Sequence, residues 1–390
     1  MSQAIKFSPE QVDIAVTGRC NLACQYCFYA DEMTSRTDLP TERWLAFFDE
    51  LGRLGVMEVV LTGGEVFSRP DVFKLIDGVI ANRMRYSLLT NGTLLTEKTM
   101  AQFDEGKRRL RLNSVQVSID GSCTEIHDQS RPHSFERAMR GLRLLLKEGF
   151  PVTVRVTINR HNIDDLENVT HLLLDDVGLN SFTTNEAFPC GEADRSGDIR
   201  LTAEQRQRAG QVLMRLSEQY GGRIQANAGP LVMAEEFRRI DRMLAEGQTV
   251  MPGRGTLCAC GGVYNKMAVM HDGTIVPCHN LSTMSMGVIG VDDFGKVWRE
   301  HPTMNAIRER YKIPLSTLET CHDCRFQGFC TGGCPGGPIF LNGELNGRDP
   351  YSCYRILRDE DPYLRIDEDG KLVTVETGKP LEVTNNEEKR

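Results

Sequence analysis

The chain has 390 residues, 40% of them hydrophobic, enough for one large core and a smaller one at roughly 100–200 residues per domain. Lys and Arg total 46 against 54 Asp and Glu, a net charge of −8 with no long block of either sign, which speaks against a nucleic-acid surface. No apolar run approaches the roughly 18 residues of a membrane span, and the opening MSQAIKFSPEQ lacks the order of a signal peptide, so a cytoplasmic protein is expected.

In chain order, the first 220 residues alternate β-rich runs with amphipathic helical stretches. QVDIAVTG precedes PTERWLAFFDELGRLG, MEVVLTGG precedes RPDVFKLIDGVIANR, and RYSLLTNG precedes TEKTMAQFDEGKRR. NSVQVSIDG, VTVRVTIN and SFTTNEAF each lead into a further helical stretch, making six β–α units. Trp44, Phe47, Phe48, Leu51 and Leu54 fall on one helical face, and Pro40 and Asp71 mark helix starts. Strands alternating with helices predict parallel pairing, and six units are too few for an eight-stranded closed barrel. An open sheet or an incomplete barrel remains, and either collects functional loops at the C-terminal strand ends.

Those ends carry TGRCNLAC, TGGE, TNG and SIDG, predicted to converge on one mouth. Past them, GPLVMAEEFRRIDRMLAEG reads as a helix, and from Met251 glycine, proline and cysteine crowd together. The charged residues after about 355 are expected to form a loosely held tail.

Thirteen cysteines in a chain without an export signal point to metal, because cytosolic thiols stay reduced. Cys20, Cys24 and Cys27 form one group and eight thiols between Cys258 and Cys353 form another, while Cys123 and Cys190 stand apart as small buried residues. Three thiolates without a nearby fourth ligand leave a structural zinc incomplete unless a distant residue closes it. An iron–sulfur cluster with one iron open to a small molecule needs no such help.

The motif Cx3Cx2C, with Tyr26 before its last cysteine, resembles the signature of the radical S-adenosylmethionine enzymes. The resemblance implies a [4Fe–4S] cluster on Cys20, Cys24 and Cys27 whose fourth iron takes S-adenosyl-L-methionine, the source of a 5′-deoxyadenosyl radical. It also implies cofactor contacts from Gly63, Gly64 and Glu65, the last accepting from the amino group. Val66 stands where the family usually has proline. Ser118 and Asp120 match positions near the ribose and carboxylate, Asn91 is similarly placed, and an inward Arg155 beside Thr157 would pair a carboxylate.

Cys258, Cys260, Gly273-x4-Cys278, the Cx2Cx5Cx3C run from Cys321 to Cys334 and Cys353 resemble the SPASM extension of that family. Two zinc ribbons are the competing reading, disfavoured because almost no histidine accompanies the thiols. By resemblance, one auxiliary [4Fe–4S] cluster uses Cys258, Cys260, Cys278 and Cys334, and another Cys321, Cys324, Cys330 and Cys353, giving three clusters in all. Cys260 follows Cys258 more closely than expected; without it the first auxiliary cluster has an open iron. His279, His322 and Asp323 neighbour these ligands, as tuning groups or as surface residues.

The implied architecture is a partial (β/α)6 TIM barrel over 1–225, a helical linker over 226–250, a small Cys-rich α+β SPASM domain over 251–354 and the tail over 355–390. The implied function is maturation of a ribosomally made peptide by hydrogen abstraction, leading to a crosslink or oxidation. The auxiliary clusters would take up the product electron, with a flavodoxin- or ferredoxin-type reductant as partner. With Cys20 so near the start, no N-terminal leader-binding module is expected, and leader recognition falls to the barrel rim, the tail or a separate leader-binding protein. The runner-up is a sulfatase maturase, disfavoured because His279 stands where that branch has aspartate. Small-cofactor biosynthesis is a third reading. A non-catalytic electron carrier is a fourth, against which Glu65 and the open-sited motif speak. No residue stands out as a catalytic base.

Overall fold

In the computed structural model, residues 5–188 and 190–381 are described. Six strands follow the order read from the sequence: β1 (Gln11–Ala15), β2 (Glu58–Thr62), β3 (Arg85–Thr90), β4 (Leu112–Ser118), β5 (Val152–Ile158) and β6 (Phe182–Glu186). Each pairs in parallel with the next. The alternation of each strand decides its two faces. Val12, Ile14, Val59, Leu61, Leu88, Val115, Val117, Val154 and Val156 are fully buried against the helices. The opposite face is polar and linked across strands: Ser87 Oγ donates to Glu58 Oε1 at 2.6 Å, and Arg155 Nε donates to Gln116 Oε1 at 3.1 Å.

The helix Thr41–Leu54 buries Trp44, Phe47, Phe48 and Leu51, the face its spacing predicts, and ends at Gly55 in the left-handed region, φ +77°. Helix Phe135–Lys147 likewise buries Phe135, Ala138, Met139, Leu142 and Leu145.

The sheet is larger than six strands. A short β7 (Ile224–Ala226) extends it beyond β6, and β8 (Lys266–Val269) pairs in parallel with β1, followed by antiparallel β9 (Thr274–Val276) and β10 (Gly287–Val288). The order is β10-β9-β8-β1-β2-β3-β4-β5-β6-β7, so the sheet stays open between β10 and β7 among the described residues. The cysteine-rich region is therefore joined to the barrel through the sheet itself. Pairing with β8 satisfies the hydrogen-bonding edge that β1 would otherwise leave bare. Residues 226–250 also do more than link, since the helix Pro230–Ala245 packs along Ala203–Gln219.

The expected loose tail is corrected for residues 355–381. A hairpin of β11 (Leu364–Ile366) and β12 (Leu372–Thr374) buries Leu372 and Val373, and Asp361 forms a buried pair with Arg348. Two apolar residues set among charges are too few to register as a pattern. Residues 382–390 lie outside the described residues. Among those described, no helix is long and apolar enough to cross a membrane.

Candidate active site

The cysteine loop leaves β1 at the C-terminal edge of the sheet and is tied down by main-chain bonds. Gly64 N donates to Thr17 O at 2.8 Å, Glu65 N to Arg19 O at 2.7 Å and Gln25 N to Ser130 O at 3.0 Å. The two glycines have a steric reason. A Cβ on Gly63 would lie 2.3 Å from Thr17 O, one on Gly64 2.3 Å from Arg19 O, and Gly63 has φ +137°. The close approach they allow is to the cysteine loop's own backbone.

Glu65 is buried and its carboxylate accepts from Thr90 Oγ1 at 2.7 Å, Asn91 N at 2.7 Å and Phe67 N at 3.1 Å. Burial raises its pKa while those bonds lower it. Through these bonds Glu65 acts as a strut between the ends of β2 and β3. Asn91 passes the tie onward, its Nδ2 donating to Asn21 Oδ1 at 3.0 Å, next to Cys20.

Asp120 is the second hub. Fully buried, it accepts from Tyr26 Oη, from Arg131 Nε at 2.6 Å and from Thr157 N at 2.7 Å. Those bonds brace the cysteine loop. The Arg131 guanidinium stands 5.1 Å from the Tyr26 ring centroid and reaches Cys24 Sγ at 3.7 Å. Sequence reasoning misses Arg131, since nothing local in DQSRPH marks it out. Beneath the hub, His127 Nδ1 accepts from Asp120 N at 3.1 Å and Nε2 meets Ser134 Oγ at 2.9 Å. Burial pushes this imidazole down to about 4.

Ser118 and Arg155 are register partners on β4 and β5. Among the described residues Arg155 forms no ion pair, and burial lowers its pKa. Its charge stays unmatched on the polar face, one strand from Asp120's loop.

The remaining thiols gather as two groups. Cys321, Cys324, Cys330 and Cys353 line one cavity together with Arg348. There Gly332 N donates to Cys330 Sγ at 3.2 Å and Arg348 Nη1 to Cys353 Sγ at 3.4 Å. Burial and then the nearby Cys260 raise the pKa of Cys278, burial and then Asp349, Cys260 and Cys278 raise that of Cys334, and Cys260 N donates to Cys258 Sγ at 3.1 Å. Cys260, the doubtful ligand, thus lies with its set, held at φ +63°. Cys190 is buried within electrostatic reach of Cys27 and Cys278. His279 is packed edge-on to Tyr29 at 6.2 Å, whereas Asp323 pairs with Arg355 at the surface.

These donors fit iron–sulfur clusters. Burial pushes the thiols of Cys27, Cys330 and Cys334 up to about 12, so they become ligands only where a cationic metal unit offsets the cost of the thiolate. Main-chain N–H groups already point at Cys258, Cys330 and Cys334 sulfurs.

A family model for the Radical SAM superfamily matches residues 14–173, and one for SPASM, an iron–sulfur cluster-binding domain, matches residues 258–325. The chain thus carries a radical S-adenosylmethionine domain followed by a SPASM iron–sulfur cluster-binding domain, and is an enzyme of that type. It is 27% identical over 362 residues to an AdoMet-dependent heme synthase of Methanosarcina barkeri, covering 90% of this chain and 98% of that protein. It is 26% identical over 357 residues to a PqqA peptide cyclase of Ruegeria pomeroyi, covering 86% and 84%. The fold matches Streptococcus suis SuiB bound to the precursor peptide SuiA, with TM-score 0.69 at 16% identity over 90% of this chain and 77% of that one.

Proposed function

We propose that this enzyme modifies a peptide by removing a hydrogen atom from a side-chain or α carbon, leading to a crosslink or oxidation. Cys20, Cys24 and Cys27 hold the cluster that engages S-adenosylmethionine; Cys258, Cys260, Cys278 and Cys334 hold one auxiliary cluster, and Cys321, Cys324, Cys330 and Cys353 the other. When bound, the cofactor supplies the radical that takes the hydrogen atom. The chain's own residues bind and orient. The main-chain ties to Gly64 and Glu65, with the Asp120 hub, fix the cysteine loop, and Ser118 with Arg155 receives the cofactor's carboxylate.

The observation that carries this reading is the unmatched Arg155 guanidinium, beside Ser118 and facing away from the helices. A partly buried charge without a counter-ion is costly, and a ligand carboxylate removes that cost. The peptide assignment is supported by the sheet's open side between β10 and β7, and by likeness to a peptide cyclase and to a fold solved with a precursor peptide. A second reading, a step in heme synthesis, is favoured by the end-to-end match to a heme synthase.

Arg155→Met should weaken S-adenosylmethionine binding by about 10- to 100-fold in equilibrium dialysis, as expected for a lost charge-assisted bond. Anaerobically reconstituted wild type should carry about twelve iron atoms and release 5′-deoxyadenosine, and Cys24→Ala should release none. Incubation with a peptide encoded beside the gene should lower its mass by two hydrogens. An unchanged peptide together with turnover of a porphyrin precursor favours the second reading, and no 5′-deoxyadenosine from wild type refutes both.

A further inference from the structure

Each thiol group is attended by one arginine; Arg131 reaches Cys24 Sγ and Arg348 reaches Cys353 Sγ, whereas Arg310 meets main-chain carbonyls, and the three also differ in their counter-ions. At the cysteine loop, Arg131 is paired to Asp120 at 2.6 Å. At the Cys321–Cys353 cavity, Arg348 is paired through both its terminal nitrogens to Asp361, buried like itself. At the Cys258–Cys334 group stands Arg310, with 0% exposure. Its Nη1 donates to Cys258 O at 2.8 Å, Nη2 donates to Gly347 O at 3.0 Å, and Nε is buried without a partner. No carboxylate lies within ion-pair distance of it among the described residues. Asp349 acts on it only from beyond ion-pair distance, its own oxygens accepting from Cys334 N at 3.3 Å, from Tyr351 N at 3.0 Å and from Ser352 Oγ.

A neutralised Arg–Asp pair adds little net field at a cluster, whereas an unneutralised guanidinium in a low-dielectric interior stabilises any added electron. We propose that Arg310 is a tuning residue that raises the reduction potential of the first auxiliary cluster. This rests on the assignment of clusters to the two thiol sets.

The test is an EPR-monitored redox titration in a Cys24→Ala background, which leaves the auxiliary clusters as the signals. Arg310→Met should shift one auxiliary signal's one-electron equilibrium at least about tenfold toward the oxidised form, about 59 mV downward. Arg310→Lys, which keeps the charge, should stay within about threefold of wild type, and Asp361→Asn, which uncovers Arg348, should raise the other signal by about tenfold. Arg310→Met with full iron and both signals unmoved overturns the proposal. If Arg310→Met does not fold, Asp361→Asn with both signals unmoved does so. Wild type that loads no auxiliary iron would instead overturn the cluster assignment, so the two failures are distinguishable.

Discussion

Arg131→Met tests the hub on which the cysteine loop is mounted. The substitution keeps an apolar stem of similar length against the Tyr26 ring but removes the guanidinium from a carboxylate with 0% exposure. Asp120 then retains only the Tyr26 hydroxyl and Thr157 N as donors. Breaking one side of a buried pair costs about 3–5 kcal/mol, a large part of the roughly 5–15 kcal/mol that holds a domain folded. Equilibrium urea unfolding of the anaerobic holoenzyme, followed by circular dichroism, should show that loss. The double variant Asp120→Asn/Arg131→Met removes both charges and should lose about 1–3 kcal/mol less than the summed single variants. A loss below about 1 kcal/mol with additive singles would be the behaviour of an exposed pair and would refute the hub.

Gly64→Ala forces a methyl to within 2.3 Å of the Arg19 carbonyl, a backbone atom that cannot move aside without moving the cysteine loop. The variant should stay folded yet lose about a third of its iron and all release of 5′-deoxyadenosine; full iron content would show that the loop tolerates the shift. His127 sets a pH window. Its folded pKa of about 4 lies below the ordinary 6.5, so the unfolded chain takes up a proton first. Its contribution is present above about pH 6.5 and is lost as pH falls toward 4, by about 3 kcal/mol in all. His127→Gln should flatten that part of the stability profile, and an unchanged slope would contradict a buried neutral imidazole.

Much of the site is legible in the amino-acid sequence. The order of the six strands and the one-sided helices follow from spacings of two to four residues along the chain, because alternation and the helical turn are local geometry. The group Cys20, Cys24 and Cys27 is legible for a similar reason, its short spacings implying one loop, whereas the interleaved sets after Cys258 follow only from the resemblance to the SPASM extension. The ties of Glu65 and Asp120 to Thr90, Asn91, Tyr26 and Arg131 are not legible in their motifs, because those partners come from other elements. The hairpin after residue 360 and the strand Ile224–Ala226 escape sequence reasoning, being three-residue strands too short to show a period.

By itself, then, the amino-acid order determined where the repeating β–α units lie and that Cys20, Cys24 and Cys27 share one loop. Tertiary structure alone decided which charges are matched. Arg131 meets Cys24 across 107 positions, Lys266 meets Asp13 across 253, and Arg155 meets no carboxylate among the described residues. Those outcomes follow from strand order and register, which bring distant residues within hydrogen-bond reach, and no periodicity along the chain encodes them.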